Sequence, residues 1–263
     1  MPTSLLPSTF DDLGTGSVVV FLHGFPFNRS MWRQQIDFLS ARRFRVVAPD
    51  LRGLGENKSG EEVATMEDMA REVAALMDRL KMDRATICGL SMGCYVAFEF
   101  VHLFPARVRA LVLCGPRAQG PDDAERKSRE EQAQRVLAEG MQFAVASIST
   151  NLLAQKTVTE KPEVVARVSD MVLQTDPRGA AAAQRGMAAR RDYSDELANI
   201  TVPTLIIAGR EDGVRKPEDA EFIHRGIRGS QLVVIDDAGH LMNMEQPERF
   251  NRALIDFFER LTH

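Results

Sequence analysis

Four short apolar runs, at residues 18–22, 44–48, 85–89 and 108–114, constrain the fold more than any other feature of the chain. Each is too short for a helix and too uniformly apolar for a strand with one wet face. Each therefore reads as a strand buried on both sides. Between them, apolar residues recur at helical spacing: Trp32, Ile36 and Leu39 within residues 32–42, then Met69, Val73, Leu76, Met77 and Leu80 within residues 66–80. Residues 92–103 read as a further helix. The rhythm resumes with strands at 203–208 and 231–235 and helices near 218–224 and over 247–261. Strand and helix in alternation predict an α/β chain with a mostly parallel central sheet covered by helices on both faces. Residues 1–16, punctuated by Pro2, Pro7, Gly14 and Gly16, supply at most a short edge strand or hairpin.

Residues 120–191 have a different texture, with no convincing strand. The charged run Asp122-Asp123-Ala124-Glu125-Arg126-Lys127 reads as a solvated helix start. Apolar residues follow at helical spacing, first Val136, Leu137, Met141, Phe143 and Ala144, then Val164, Val165, Val168, Met171 and Val172. Ala180 to Ala183 also favour a helix. The expected organisation is a core domain of residues 1–118 and 192–263, interrupted by a helical cap at 119–191. Such an insertion would sit over the C-terminal ends of the strands, where open α/β sheets bind ligands.

Composition excludes several function classes. Hydrophobic residues make up 44% and charged residues 27% of the 263, and the net charge of −4 is not gathered in one tail. Nothing recommends nucleic acid or an anionic membrane as a partner. No apolar run near the start is long enough to span a bilayer, and no basic start suggests a signal peptide. The three cysteines, Cys88, Cys94 and Cys114, are an odd number in apolar segments. They read as reduced core residues of a cytoplasmic protein, without metal-ligand spacing. No dinucleotide or phosphate loop is present, so neither cofactor nor metal is expected. Oligomeric state leaves no mark on the sequence.

The chemistry concentrates at Gly89-Leu90-Ser91-Met92-Gly93, a Gly-x-Ser-x-Gly motif between a strand and a helix. A serine at so sharp a turn adopts a strained backbone that lifts its hydroxyl clear of the sheet edge. Side chains two residues before and after it would collide with the turning backbone, which suits glycine at 89 and 93. A nucleophilic serine needs a base to take its proton and a carboxylate to orient that base. Of the five histidines, His102 lies mid-helix, His224 late in a surface helix and His263 at the end of the sequence. His23 ends the first buried strand and reads as a structural tie. His240, in the loop after the strand at 231–235, is left by position as the base. For the acid, Asp212 follows the strand at 203–208, with Glu211, Asp236 and Asp237 as weaker candidates. Two N–H donors must face the developing oxyanion, worth about 2.7–4 kcal/mol each in typical cases. The N–H groups of Met92 and Phe25 stand where those donors are needed.

Six motifs in order make the chain resemble the α/β-hydrolase superfamily. They are His-Gly-Phe-Pro at 23–26, Asp-Leu-Arg-Gly at 50–53, Gly-Leu-Ser-Met-Gly at 89–93, Gly-Arg-Glu-Asp at 209–212, Gly-His at 239–240 and Glu-Gln-Pro-Glu at 245–248. The resemblance covers about residues 17–116 and 198–262. Within the superfamily the chain is most similar to small bacterial carboxylesterases and enol-lactonases, pimeloyl-ester esterases and cofactor-free haloperoxidases. The resemblance places the family's catalytic roles on Ser91, Asp212 and His240, with Phe25 and Met92 as oxyanion donors. One departure is Asp-Leu-Arg-Gly-Leu-Gly-Glu-Asn at 50–57, where many relatives have Gly-His-Gly-x-Ser in the last part; that segment is not catalytic in the family.

Serine at the elbow argues against relatives that use an aspartate nucleophile, the haloalkane dehalogenases and epoxide hydrolases. The resemblance implies hydrolysis of a small ester or lactone through an acyl-enzyme. The same triad also serves perhydrolases and carbon–carbon bond hydrolases, and a non-catalytic member would bind a small ligand under the cap. For the substrate pocket, Phe27, Trp32, Met141, Phe143 and Leu241 are candidates, with Phe25, Met31 and Met92 close by. Arg190 and Arg191 are candidates to read a carboxylate where the cap ends.

Overall fold

The computed structural model describes residues 9–261 apart from Ser147, with Ser149 described by its backbone alone, so Pro2, Pro7 and His263 lie outside the described residues. A short strand β1 (Phe10–Leu13) precedes six strands that stand where the apolar runs do: β2 (Ser17–Leu22), β3 (Phe44–Pro49), β4 (Ala85–Leu90), β5 (Val108–Cys114), β6 (Thr204–Gly209) and β7 (Gln231–Ile235). They form one sheet in the order β1-β3-β2-β4-β5-β6-β7. All hydrogen-bonded neighbours are parallel except β1, which runs antiparallel to β3 at the edge of the sheet. Every residue of β4 and β6 is buried, which explains why these strands carry no polar alternation.

Helices α1 (Arg33–Ser40), α2 (Met66–Arg79) and α3 (Met92–Leu103) follow the first strands; α9 (Pro217–Gly226), α10 (Met242–Glu245) and α11 (Pro247–Arg260) follow the last. Between these groups come α4 (Asp123–Glu139), α5 (Gln142–Val145), a π-helical turn at Ile148–Leu152, α6 (Gln155–Glu160), α7 (Pro162–Leu173) and α8 (Pro177–Ala188). One face of the sheet packs against α2, α3 and α9, the other against α1 and α11. Helix α2 starts where Thr65 Oγ1 accepts the N–H of Asp68 at 3.0 Å, and it buries Met69, Val73, Leu76 and Met77. Truncating a fully buried residue such as Phe100 in α3 should destabilise the fold by about 3–5 kcal/mol.

The chain leaves β2 for β3 on one side and crosses to β4 on the other. This reversal opens a crevice at the carboxyl ends of β2 and β4, the position where such sheets bind ligands.

Two details of residues 120–191 were not readable from periodicity. Gly140, at φ 76°, ends α4, so Met141 to Ala144 belong to a separate turn and Leu137 faces solvent at 49% exposure. Helix α8 meets the core backbone to backbone. A β-carbon on Gly179 would lie 1.6 Å from the carbonyl oxygen of Gly53, and one on Gly186 would lie 1.7 Å from that of Ala64. The N–H of Ala64 donates to the carbonyl of Ala182 at 3.1 Å, tying the two segments together.

Candidate active site

Ser91 stands at the mouth of the crevice with φ 54° and ψ −111°, a conformation that L-residues rarely hold and that costs about 1–3 kcal/mol. Neighbouring glycines make it possible. A β-carbon on Gly89 would lie 2.3 Å from the carbonyl oxygen of Gly93, and one on Gly93 would lie 2.2 Å from that of Leu22. The N–H of Ser91 donates to the carbonyl of Cys114 at 2.9 Å, pinning the turn to β5. Beneath it, Cys94 directs its thiol to the carbonyls of Gly89 and Cys114. Burial pushes the Cys94 thiol well up from its ordinary value, so it is no nucleophile.

His240 and Asp212 come from the loops after β7 and β6, and both are buried. His240 Nδ1 lies 2.7 Å from Asp212 Oδ2. Because a carboxylate only accepts, Nδ1 carries the proton and Nε2 keeps its lone pair. The other carboxylate oxygen, Oδ1, accepts the N–H groups of Val214 at 2.8 Å and Arg215 at 2.7 Å, which fixes the acid's orientation. Of the weaker acid candidates, Glu211 is exposed, Asp236 pairs with Arg210 and Asp237 pairs with Lys156. No direct hydrogen bond joins Ser91 to His240. Both line one cavity of about 940 Å³.

The loop bearing His240 is held from two directions. Glu245, wholly buried, accepts the N–H groups of Gly239 at 2.9 Å and Leu241 at 3.3 Å on one oxygen. Its other oxygen accepts the N–H of Ala154 at 2.8 Å. The N–H of His240 itself donates to the carbonyl of Leu152 at 2.7 Å. Segment 151–154 thus packs directly on the histidine loop. Gly115, just past β5 at φ 54°, leaves room for the imidazole.

His23 is a structural tie. Its Nδ1–H donates to the carbonyl of Gly24 at 3.0 Å and its Nε2 accepts the N–H of Leu51 at 2.9 Å. Burial lowers its pKa below the ordinary value and keeps it neutral. The loop it braces runs close to the nucleophile: a β-carbon on Gly24 would be 3.6 Å from Cβ of Ser91, and Phe25 lines the same cavity. Met92, the first residue of α3, has an N–H with no intrahelical acceptor.

Phe25, Met141 and Phe143 line the cavity with Ser91 and His240. Phe27, Trp32 and Leu241 do not, and the pocket expectation for them is corrected. All three lie in the core, at most 1% exposed, with Trp32 packed between Phe21 and Phe250 at ring distances of 4.6 and 6.0 Å. All three belong to the buried cluster that also holds residues of α1 and α11. Met31 is also buried there, its sulfur 3.4 Å from the N–H of Gly24. Met92 is likewise buried. Arg190 is buried and already holds a carboxylate of the protein itself, Glu125, through Nη1 at 2.9 Å and Nη2 at 3.1 Å. Arg191 pairs with Glu196.

Several lining residues carry no sequence signal that assigns them to the cavity. Tyr95, Arg117, Glu125, Arg129 and Arg215 give it a polar wall, and Val136, Val172 and Met187 extend the apolar one. Among the described residues, no helix is long and apolar enough to cross a membrane.

The α/β-hydrolase fold family matches residues 17–247. 3-Oxoadipate enol-lactonase 1 of Acinetobacter baylyi is 31% identical over 243 residues, covering 92% of this chain and 89% of the relative. Among solved structures, a thermophilic esterase from Thermogutta terrifontis, with malate bound, is similar with a TM-score of 0.94 at 41% identity, over 96% of this chain and 93% of that one. The enol-lactonase from Burkholderia xenovorans follows with a TM-score of 0.88 at 27% identity, over 95% and 96%. A strand-to-helix serine elbow, a histidine backed by an aspartate and a match of this extent agree: the chain belongs to the α/β-hydrolase fold family.

Proposed function

We propose that this chain hydrolyses a small carboxylic ester or lactone through an acyl-enzyme on Ser91. One observation supports the reading: Ser91 and His240, just past β4 and β7, line one cavity, and Asp212, past β6, is hydrogen-bonded to His240. His240 Nε2 takes the proton as Ser91 Oγ attacks the carbonyl carbon. Negative charge grows on the carbonyl oxygen, and the N–H groups of Phe25 and Met92 stabilise it. His240 then returns the proton to the departing alcohol oxygen, which in a lactone stays tethered to the acyl group. Water, deprotonated by His240, releases the acid and frees Ser91. Asp212 holds the imidazole and supports its transient positive charge.

Residues 119–191 act as the cap in this reading, with Met141, Phe143, Val136 and Val172 forming an apolar wall over the acyl group. Three free, buried cysteines support a reducing, cytoplasmic setting. Similarity to an esterase and to enol-lactonases supports ester and lactone chemistry for this site.

The test is hydrolysis of 4-nitrophenyl acetate, butyrate and octanoate by the wild type and Ser91→Ala at neutral pH. Wild type should turn over the short esters, and Ser91→Ala should lose about 10⁴-fold or more in kcat. Equal activity in the two would remove Ser91 from the mechanism.

A further inference from the structure

Arg215 is a half-buried cation that forms no ion pair among the described residues. Its side chain lines the same cavity as Ser91 and His240. Of its five N–H donors, the guanidinium commits two to neutral acceptors: the hydroxyl of Tyr95 at 2.7 Å and the carbonyl of Val214 at 3.1 Å. Nε is buried with no partner. Glu125 and Asp219 act on it only through space, and among the described residues no carboxylate forms an ion pair with it. Burying a charge is unfavourable unless it is paired; here Tyr95, Glu125 and Asp219 offset the burial and keep the guanidinium charged without occupying the ion-pair position.

The surrounding wall has the same imbalance. The only acids lining the cavity among the described residues are Asp122 and Glu125. Asp122 is exposed and accepts the N–H of Glu125 as the cap of α4. Glu125 is fully engaged, by Arg190 at 2.9 and 3.1 Å, by Arg129 at 2.8 Å and by Arg117 at 3.4 Å. Burial would raise its pKa, but the hydrogen bonds from Arg190 and Arg129 outweigh that and hold it at about 2. One carboxylate therefore serves three arginines, and Arg215 is left over.

Arg215 is also held rigidly beside the reacting centre. Its own N–H donates to Asp212 Oδ1 at 2.7 Å, and the Tyr95 ring that meets its guanidinium is stacked under Arg190 at 4.5 Å. A cation fixed in this way is preorganised and needs little reordering to receive an anion.

We infer that the substrate brings the missing anion: an ester or lactone bearing a free carboxylate, seated against Arg215 with Arg117 and Arg129 behind it. The inference rests on the hydrolase reading of Ser91. A guanidinium suits a carboxylate because its planar donors match two oxygens. Val136, Met141 and Phe143 would then cover the uncharged stretch between carboxylate and scissile carbonyl.

Two ester pairs test this, each matched except for charge. 4-Nitrophenyl butyrate is set against mono-4-nitrophenyl succinate, and phenyl acetate against 4-acetoxybenzoate, all corrected for uncatalysed hydrolysis. In the wild type at least one charged member should exceed its neutral partner in kcat/KM by about tenfold or more, the scale of one charge-assisted hydrogen bond. In Arg215→Met that ratio should fall by about tenfold or more, chiefly through KM. Because the ratio is taken within one variant, general damage to the site cancels. Arg215→Lys should keep part of the preference, and Arg210→Ala, at an exposed ion pair, should keep all of it. Preference for the neutral ester in both pairs, or a ratio that survives Arg215→Met, overturns the inference. Calorimetric titration of glutarate into Ser91→Ala, with and without Arg215→Met, judges the subsite without catalysis. Binding that depends on Arg215 supports the subsite even if no ester is turned over and the Ser91 reading fails. Glutarate binding that is absent, or indifferent to Arg215, sinks the subsite.

Discussion

Gly115 lies directly against His240: a β-carbon there would stand 3.0 Å from the imidazole Cε1 and 3.4 Å from Asp212 Oδ2. The residue also sits at φ 54°, where an added side chain costs about 1–2 kcal/mol. Gly115→Ala should therefore displace the imidazole as well as strain the turn. Misplacing a catalytic group by about 1 Å loses about 10²-fold, so kcat/KM on 4-nitrophenyl butyrate should fall by that order. The melting temperature should drop by only about 2–8 °C. A variant with full activity would show that His240 works from some other position.

Asp212 has one oxygen for the imidazole and one for two backbone N–H groups. An amide cannot serve both, because its NH₂ would face a donor on one side. Asp212→Asn should lower kcat by about 10⁴-fold. Glu211→Gln, Asp236→Asn and Asp237→Asn should each stay within about threefold of wild type, as expected for exposed groups. A large loss at Glu211 instead would move the orienting role to that residue.

Glu245 accepts three backbone N–H groups that flank His240 and residue 154. Glu245→Gln sets an NH₂ against at least one of those donors, at about 1–3 kcal/mol. The urea midpoint should fall, and kcat should fall with it as the histidine loop loosens. Lower stability with unchanged kcat would confine the tie to the packing of segment 151–154.

His23 gives stability a pH dependence of known sign. Its folded pKa lies below the ordinary 6.5, burial being the main cause, despite the nearby charge of Asp50. Below about pH 6.5 the unfolded chain binds a proton that the folded chain refuses. The contribution is therefore complete above that pH and is lost as pH falls toward the folded value, by up to about 1.4 kcal/mol per unit. Urea unfolding at pH 7.5 and 5.5 should show this loss, and His23→Gln should show a shallower one. The Glu125 carboxyl, at about 2, acts in a separate window below its ordinary 4.5, so it does not blur the comparison. Equal slopes in the two proteins would clear His23 of the effect.

The centre of the sheet was legible because its strands are buried on both faces, which leaves a nearly continuous apolar run with clear ends, as at Thr204–Gly209. The serine, aspartate and histidine were legible because each sits just past such an end. Side-chain direction was not. Phe27, Trp32 and Leu241 adjoin site residues in sequence, but only tertiary packing decides that they turn into the core. The polar wall was hidden for a different reason: Tyr95, Arg117, the pair Glu125 and Arg129, and Arg215 come from four separate segments, and nothing in those segments says that they meet. Gly115 did leave a signal, a glycine immediately past a buried strand.

The contacts of Gly179 with Gly53 and of Gly186 with Ala64 bear on how this chain could be rebuilt. Helix α8 tolerates no side chain at Gly179 or Gly186, because a β-carbon at either would overlap the facing backbone carbonyl of the loop. Replacing residues 177–188 would fail here unless glycine stood opposite both carbonyls or residues 53–64 were rebuilt with them. Helix and loop, more than a hundred positions apart, are one unit for redesign.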